Sequence, residues 1–125
     1  ERFPNLEIYE TKYEISNLEK FNKKDKFIAF SGIGNHQTFI EMLKKNQLKI
    51  IEDFEYPDHY NYSITDLEKI NNIAIKFNAR VLTTEKDYLR LDDQNKMNIN
   101  FVKIFLKINQ IEKLKKKLKF INENN

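Results

Sequence analysis

The hydrophobic and polar positions along this chain predict strands that alternate with helices. A continuous apolar run at residues 27–30 is typical of a strand that is buried on both faces of a sheet. Apolar-rich runs at residues 48–54, 80–83 and 100–108 predict three further strands. Residues 5–15 alternate apolar and polar side chains, which predicts a half-exposed strand with one slip in register.

Apolar positions that recur every three or four residues predict two helices between these strands. The first helix spans residues 36–45 with Asn35 as its N-cap, and its apolar face consists of Phe39, Ile40 and Leu43. The second helix begins at Thr65, because Thr65 and Glu68 have the spacing of a capping box. Its apolar stripe consists of Leu67, Ile70, Ala74 and Phe77.

Two more helices are predicted nearer the end of the chain. Thr84 can cap a short helix that runs through Asp87 to Leu91. Lysines flank an apolar stripe at residues 110–121, so this last helix either packs on the sheet or lies on a membrane surface. The stripe consists of Ile111, Leu114, Leu118 and Ile121.

This order of elements predicts an α/β fold, a three-layer Rossmann-like domain with a mostly parallel sheet of about four strands. The domain is expected to span residues 26–125, and residues 1–25 are expected to form an extended linker or inter-lobe strand. The functional loops of such a sheet lie at the carboxyl ends of its strands. Here those loops are residues 31–35, 55–62 and 83–87.

The composition limits the classes of function. The chain has 125 residues, the size of one domain, and no cysteine, which excludes disulfides and thiolate chemistry. Two histidines, His36 and His59, lie too far apart for a zinc pair on one helix, and no metal site is predicted. The net charge is +3, and residues 109–125 account for all of it because they contain five lysines and two glutamates. The rest is near neutral, so no nucleic-acid face is predicted.

The turn after the first buried strand contains the only two glycines of the chain, Gly32 and Gly34, followed by Asn35. Glycines before a helix N-terminus can bring backbone amides close to a phosphate. The same residues also fit a tight turn with no ligand. A dinucleotide-binding fingerprint would need a third glycine, and residue 37 is Gln37.

Two other strand-end loops carry candidate chemistry. Asp58 and His59 place a carboxylate beside an imidazole, which suits a proton-handling or orienting pair, although an exposed loop histidine is equally consistent. The second loop is a charged cluster that either faces an active site or only caps a helix. It consists of Thr84, Glu85, Lys86 and Asp87.

Taken in order, these segments resemble one family. Residues 29–35 with Phe39, then residues 54–60, then residues 83–87 are similar to the C-terminal part of the tetraacyldisaccharide 4'-kinases. The likeness is specific from about residue 26 to residue 91. Many members have a proline where His36 stands and a second histidine where Tyr60 stands, whereas His59 is retained.

The resemblance implies an enzyme that transfers the ATP γ-phosphoryl group to the 4'-hydroxyl of the lipid A disaccharide precursor. It implies that ATP and Mg²⁺ bind mainly to an upstream phosphate-binding-loop domain, because these residues contain no such loop. This chain alone would then be inactive. The resemblance also implies a monomeric enzyme of the bacterial cytoplasm, peripheral to the cytoplasmic face of the inner membrane and in contact with its anionic headgroups.

By the same resemblance, His59 faces the cleft between two lobes and pairs with an upstream aspartate that serves as base for the sugar hydroxyl. The rival view is that Asp58 or Tyr60 has this role and that His59 only shapes the loop. The cleft-shaping residues would be Gly32, Gly34, Asn35, Thr84, Glu85, Lys86 and Asp87. Two alternatives stay open from the residues alone: a stand-alone Rossmann-like nucleotide-binding module and a non-catalytic interaction domain.

Overall fold

The structure is a computed structural model that describes residues 11–108, with side chains described for residues 13–105. Strands and helices alternate through the middle of this range, as the sequence predicts. The elements in chain order are β1 (Thr11–Ile15), β2 (Lys26–Ser31), α1 (His36–Lys45), β3 (Lys49–Glu55), α2 (Ile64–Lys76), β4 (Ala79–Thr84), α3 (Glu85–Leu89), β5 (Ile99–Val102) and β6 (Ile104–Ile108).

Four strands form one parallel sheet in the order β3-β2-β4-β5. Parallel neighbours need crossover connections, and α1, α2 and α3 provide them in turn. The central strand β2 pairs with β3 on one side and with β4 on the other. The predicted parallel sheet of about four strands is therefore confirmed.

Side chains of β2 alternate between two hydrophobic clusters, one on each face of the sheet. Phe27 and Ala29 pack in the cluster that includes Phe39, Ile40 and Leu43 of α1. Ile28 and Phe30 pack in the other cluster, with Leu67, Ile70 and Ala74 of α2. Because successive strand residues point to opposite faces, the two helices cover opposite faces of the sheet. This confirms the three-layer arrangement.

The chain divides into two compact units, of which the larger is Ile15–Ile104. The described part of the other unit belongs to a two-stranded sheet of β1 and β6. The domain boundary expected near residue 26 stays a prediction. The predicted helix at residues 110–121 lies outside the described residues.

The prediction of one strand over residues 100–108 was wrong, since β5 ends at Val102 and β6 begins at Ile104. Lys103 separates them because its backbone leaves the ladder. Its amide donates to Asn17 Oδ1 at 2.9 Å, and its carbonyl accepts from the Ser16 amide at 2.8 Å. The break is thus fixed by a loop more than eighty positions away in sequence.

The start of α2 was also predicted wrongly. Ser63, not Thr65, is the N-cap: its hydroxyl accepts from the Asp66 amide at 3.0 Å, and Asp66 Oδ2 accepts from the Ser63 amide at 2.9 Å. The Tyr60 hydroxyl also donates to Asp66 Oδ2, at 2.8 Å. These bonds, above all the Ser63 amide, hold the pKa of Asp66 below its usual value. Phe77, expected in the buried stripe, follows the helix as its C-cap and is 43% exposed.

We predict that Ser63→Ala lowers the free energy of unfolding by about 1 kcal/mol, because an amide of the first turn of α2 loses its acceptor. The matched control is Thr65→Ala. Thr65 is exposed within the first turn, so its replacement should change stability by less than about 0.5 kcal/mol. Urea denaturation of this chain followed by circular dichroism measures both. A larger loss for Thr65→Ala than for Ser63→Ala would contradict this assignment of the cap.

Candidate functional site

The loops that follow β2 and β4 meet at the carboxyl edge of the sheet. The chain leaves β2 toward β3 on one side and later returns to β4 on the other side, so the strand order reverses between β2 and β4. Crevices at such reversal points are the usual ligand sites of open α/β sheets. The residues that fill this crevice decide what the edge can bind.

The carboxylate of Asp87 occupies the crevice and is fully buried, with 0% exposure. Its Oδ1 accepts from the Gly32 amide at 3.0 Å, from the Tyr62 hydroxyl at 3.0 Å and from Arg90 Nη2 at 2.6 Å. Its Oδ2 accepts from the Thr84 hydroxyl at 2.6 Å. These four donors come from the loops after β2 and β3, from the end of β4 and from the residue after α3, so Asp87 joins segments that are far apart in sequence.

Local structure places Asp87 at this point. Thr84 caps α3 by accepting from the Asp87 amide at 3.0 Å, which sets the carboxylate beside the Thr84 hydroxyl. Burial and the neighbouring Asp87 carboxylate raise the pKa of Tyr62, so its hydroxyl stays protonated and donates. The capping role predicted for Thr84 and Asp87 is therefore present, and it coexists with a role in the crevice.

Arg90 follows α3 and joins the same cluster. Its Nη2 contacts Asp87 Oδ1 at 2.6 Å and also donates to the Gly32 carbonyl at 3.3 Å. Its Nη1 lies 3.4 Å from His59 Nδ1. Arg90 was not among the residues predicted from the sequence, although its position three residues after Asp87 is the spacing of a helical ion pair.

His59 lies at the rim of the cluster. Its backbone amide donates to the Gly32 carbonyl at 3.1 Å, and its φ of 61° is in the left-handed region. The imidazole is 69% exposed, and its Nε2 lies 3.7 Å from Asp58 Oδ2. The backbone of His59 is thus held against the β2 turn while its ring faces solvent, a geometry that leaves Nε2 accessible to a further partner.

The two glycines differ in what they contribute. A Cβ on Gly32 would lie 2.9 Å from the Pro57 carbonyl oxygen and 3.0 Å from the Tyr62 hydroxyl, so this position requires a close backbone approach. A Cβ on Gly34 would meet nothing within 4 Å. Neither glycine has positive φ. Only Gly32 is therefore required by packing.

The remaining candidates do not join the cluster. Asn35 caps α1 by accepting from the Thr38 amide at 3.3 Å. Glu85 is half-buried and Lys86 is exposed, and neither contributes a hydrogen bond to the crevice among the described residues. The structure thus brings Gly32, Asp87 and His59 together, and leaves Gly34, Asn35, Glu85 and Lys86 outside.

The Asp87 carboxylate in the crevice makes the turn after β2 unfavourable for binding a nucleotide. The Gly32 amide, which would face a phosphate, already donates to a carboxylate. A buried anion at that point would repel a second one. Among residues 11–108 there is also no group of three or more His, Asp or Glu side chains placed to hold a metal ion. The β2 turn is therefore an unfavourable place for a phosphate group.

His36 forms a second buried network beside the crevice. Its Nδ1 lies 2.6 Å from Ser31 Oγ, and its Nε2 lies 2.9 Å from Asp53 Oδ1. Because a carboxylate only accepts, Nε2 carries the proton and the Ser31 hydroxyl donates to Nδ1. Ser31 is 0% exposed and cannot reach a substrate. The network ties β2, α1 and β3 together and is structural.

Comparison with known proteins decides the family. A family model described as tetraacyldisaccharide-1-P 4'-kinase matches residues 4–122. The chain belongs to this family. A tetraacyldisaccharide 4'-kinase of Pelagibacter ubique is 52% identical over 122 residues, which are 98% of this chain and 39% of the relative. One from Rickettsia felis is 39% identical over 97 residues, which are 78% of this chain and 30% of the relative.

A solved structure agrees with this membership. It is the "apo" form of LpxK from Aquifex aeolicus in complex with ATP, with 28% identity and a TM-score of 0.53. The match covers 89% of this chain and 35% of the solved one. The chain thus spans 30–39% of the length of these three relatives. Within residues 11–108, no helix has the length and apolar character needed to cross a membrane.

We predict that Gly32→Ala lowers the free energy of unfolding by about 1–3 kcal/mol, because the added methyl group collides with the Pro57 carbonyl and the Tyr62 hydroxyl. The matched control is Gly34→Ala, where space is open and φ is not positive. That variant should be neutral or stabilised by up to about 1 kcal/mol. Urea denaturation of the two variants tests the difference, and equal stabilities would show that the Gly32 approach is not constrained.

Proposed function

We propose that this chain is the C-terminal part of a tetraacyldisaccharide 4'-kinase, which transfers the ATP γ-phosphoryl group to the 4'-hydroxyl of the lipid A disaccharide precursor. One observation carries the proposal beyond family membership. The three segments that resemble the family, around Gly32, His59 and Asp87, are hydrogen-bonded to one another at a single edge of the sheet. Residues that share a family pattern and one location are candidates for a shared site.

In this proposal the work is divided between two lobes. An upstream domain binds ATP and Mg²⁺ through a phosphate-binding loop, and its acidic residues hold the metal. This chain supplies His59, whose ring is exposed on an anchored loop. Phosphoryl transfer depends mainly on positioning and electrostatics, so one oriented group from a second lobe contributes substantially.

The proposed role of His59 is to pair with an upstream aspartate that accepts the proton of the 4'-hydroxyl. An imidazole N–H on that carboxylate would orient it and balance its charge. Nε2 is the nitrogen available for this bond, since Nδ1 faces Arg90. Asp58 lies next to Nε2 at 3.7 Å and is the rival candidate.

The proposal includes the setting of the enzyme. Its lipid substrate requires access to a bilayer, so we propose that the monomeric enzyme works on the cytoplasmic face of the bacterial inner membrane, in peripheral contact with anionic headgroups. The lysines of residues 109–125 are the charged groups of this chain suited to that contact.

We predict that His59→Ala and His59→Asn each lower kcat of the full-length enzyme roughly 10- to 1000-fold, with a smaller effect on the KM for ATP. Two variants are needed because His59 has positive φ, which asparagine adopts more readily than alanine. If the ring matters, both variants are slow. A His59→Asn enzyme with normal kcat would show that the residue only shapes the loop.

The matched control for this experiment is Asp58→Asn, which leaves the imidazole in place. We expect it to retain most of the kcat, because Asp58 is half-exposed and 3.7 Å from Nε2. Loss of kcat in Asp58→Asn together with normal kcat in His59→Asn would transfer the catalytic role to Asp58.

We further predict that this 125-residue chain alone neither hydrolyses ATP nor phosphorylates a lipid, because it contains no Gly-x-x-x-x-Gly-Lys-Ser/Thr segment. A radiometric kinase assay with the purified chain measures this, with the full-length enzyme as the positive control. Robust Mg²⁺-dependent turnover by the chain alone would contradict the proposed division between lobes.

A further inference from the structure

The contact between Arg90 and His59 has a direction that is fixed by chemistry. A guanidinium has only donors, so the atom it faces at 3.4 Å, His59 Nδ1, is the acceptor. An accepting Nδ1 carries no proton, and the neutral ring then has its proton on Nε2. The tautomer of His59 is therefore coupled to the position of Arg90.

Arg90 is itself held by buried groups. Its Nη2 donates to the fully buried Asp87 at 2.6 Å and to the Gly32 carbonyl at 3.3 Å. The Gly32 carbonyl also accepts from the His59 amide at 3.1 Å. The backbone and the ring of His59 are thus anchored on the same small cluster, the backbone directly and the ring through Arg90.

We propose that Arg90 is a positioning residue that, oriented by Asp87, fixes His59 as the Nε2–H tautomer and turns that N–H away from the sheet. Its importance for phosphoryl transfer rests on the role proposed for His59, whereas the effect on the tautomer does not. The flexible ammonium group of a lysine at position 90 would also neutralise the charge of Asp87. It could not span Asp87, the Gly32 carbonyl and His59 Nδ1 at once as a planar guanidinium does.

The experiment is carried out on the full-length enzyme with ¹⁵N-labelled histidine and three variants. Arg90→Ala removes all donors, and Arg90→Lys keeps the charge that Asp87 needs for folding. The control is Arg80→Ala, because Arg80 also pairs with an aspartate, Asp25, at 3.6 Å, although its side chain is 43% exposed and that of Arg90 is 25% exposed. Arg80 is the second residue of β4, at the opposite end of that strand from Thr84.

We expect the ¹⁵N spectrum of the unmodified enzyme to show a pyridine-type Nδ1 and a pyrrole-type Nε2 for His59. His59→Asn assigns these signals by their loss. Arg90→Ala and Arg90→Lys should both average the two tautomers and lower kcat by about 10-fold or more, with little change in the KM for ATP. Arg80→Ala should change neither quantity.

A double variant separates action through His59 from action elsewhere. If Arg90 works through His59, Arg90→Lys combined with His59→Asn is no slower than His59→Asn alone. The proposal is overturned if the unmodified enzyme has the proton on Nδ1, if the Arg90 variants keep the Nε2–H tautomer, or if the two kcat losses multiply. A normal kcat in His59→Asn would instead refute the proposed function, and the spectra would still decide the role of Arg90.

Discussion

The carboxyl edge of this sheet depends on one buried carboxylate. Asp87 accepts four hydrogen bonds, three from side chains and one from a backbone amide, and no part of it is exposed. Loss of one partner from a buried ion pair costs about 3–5 kcal/mol in typical proteins, which applies here to Arg90. Loss of a neutral donor would leave the buried carboxylate with one hydrogen bond fewer, which also destabilises the fold. Gly32, Tyr62, Thr84 and Arg90 are all held by this one group. The positions of the β2, β3 and β4 loops therefore depend on it jointly.

That constraint also explains why two features of the edge depart from simple rules. Gly32 is a glycine because the Pro57 carbonyl, the Tyr62 hydroxyl and Asp87 crowd the place of a side chain, not because its backbone is left-handed. His59, by contrast, has a left-handed backbone although it is not a glycine. Its amide bond to the Gly32 carbonyl accompanies this conformation, and strained residues of this kind are commonly found at functional sites.

The parts of the fold that local patterns control could be predicted from the sequence. The apolar run of β2, the Asn35 cap of α1 and the Thr84 cap of α3 all appear where the sequence places them. The predictions that were wrong concern residues whose partner is distant in sequence, or segments in which two residues could both cap a helix. Lys103 breaks a strand because Asn17 binds its backbone amide. At the start of α2, Ser63 with Asp66 and Thr65 with Glu68 both have the spacing of a capping box, and only the first pair forms one.

The candidate site follows the same division. The sequence placed Asp87 in a short helix capped by Thr84 and His59 in a strand-end loop, and both residues lie there. It could not show that Asp87 meets Gly32, because the two are 55 positions apart. Nor could it show that His36, at a position where many family members have proline, is buried between Ser31 and Asp53. This hydrogen bond depends on Asp53 of β3, and no local sequence pattern specifies the register of that strand.

A filled crevice changes where function can lie in such a fold. In many α/β sheets the reversal point is open and its backbone amides meet a phosphate. Here the Gly32 amide is bound to Asp87, and the same cluster extends outward through Arg90 to an exposed imidazole. The buried Asp87 carboxylate thus holds Arg90, and through it the His59 ring at the rim, rather than a ligand in the crevice. An exposed imidazole on an anchored loop is consistent with the proposed division of the catalytic site between two lobes.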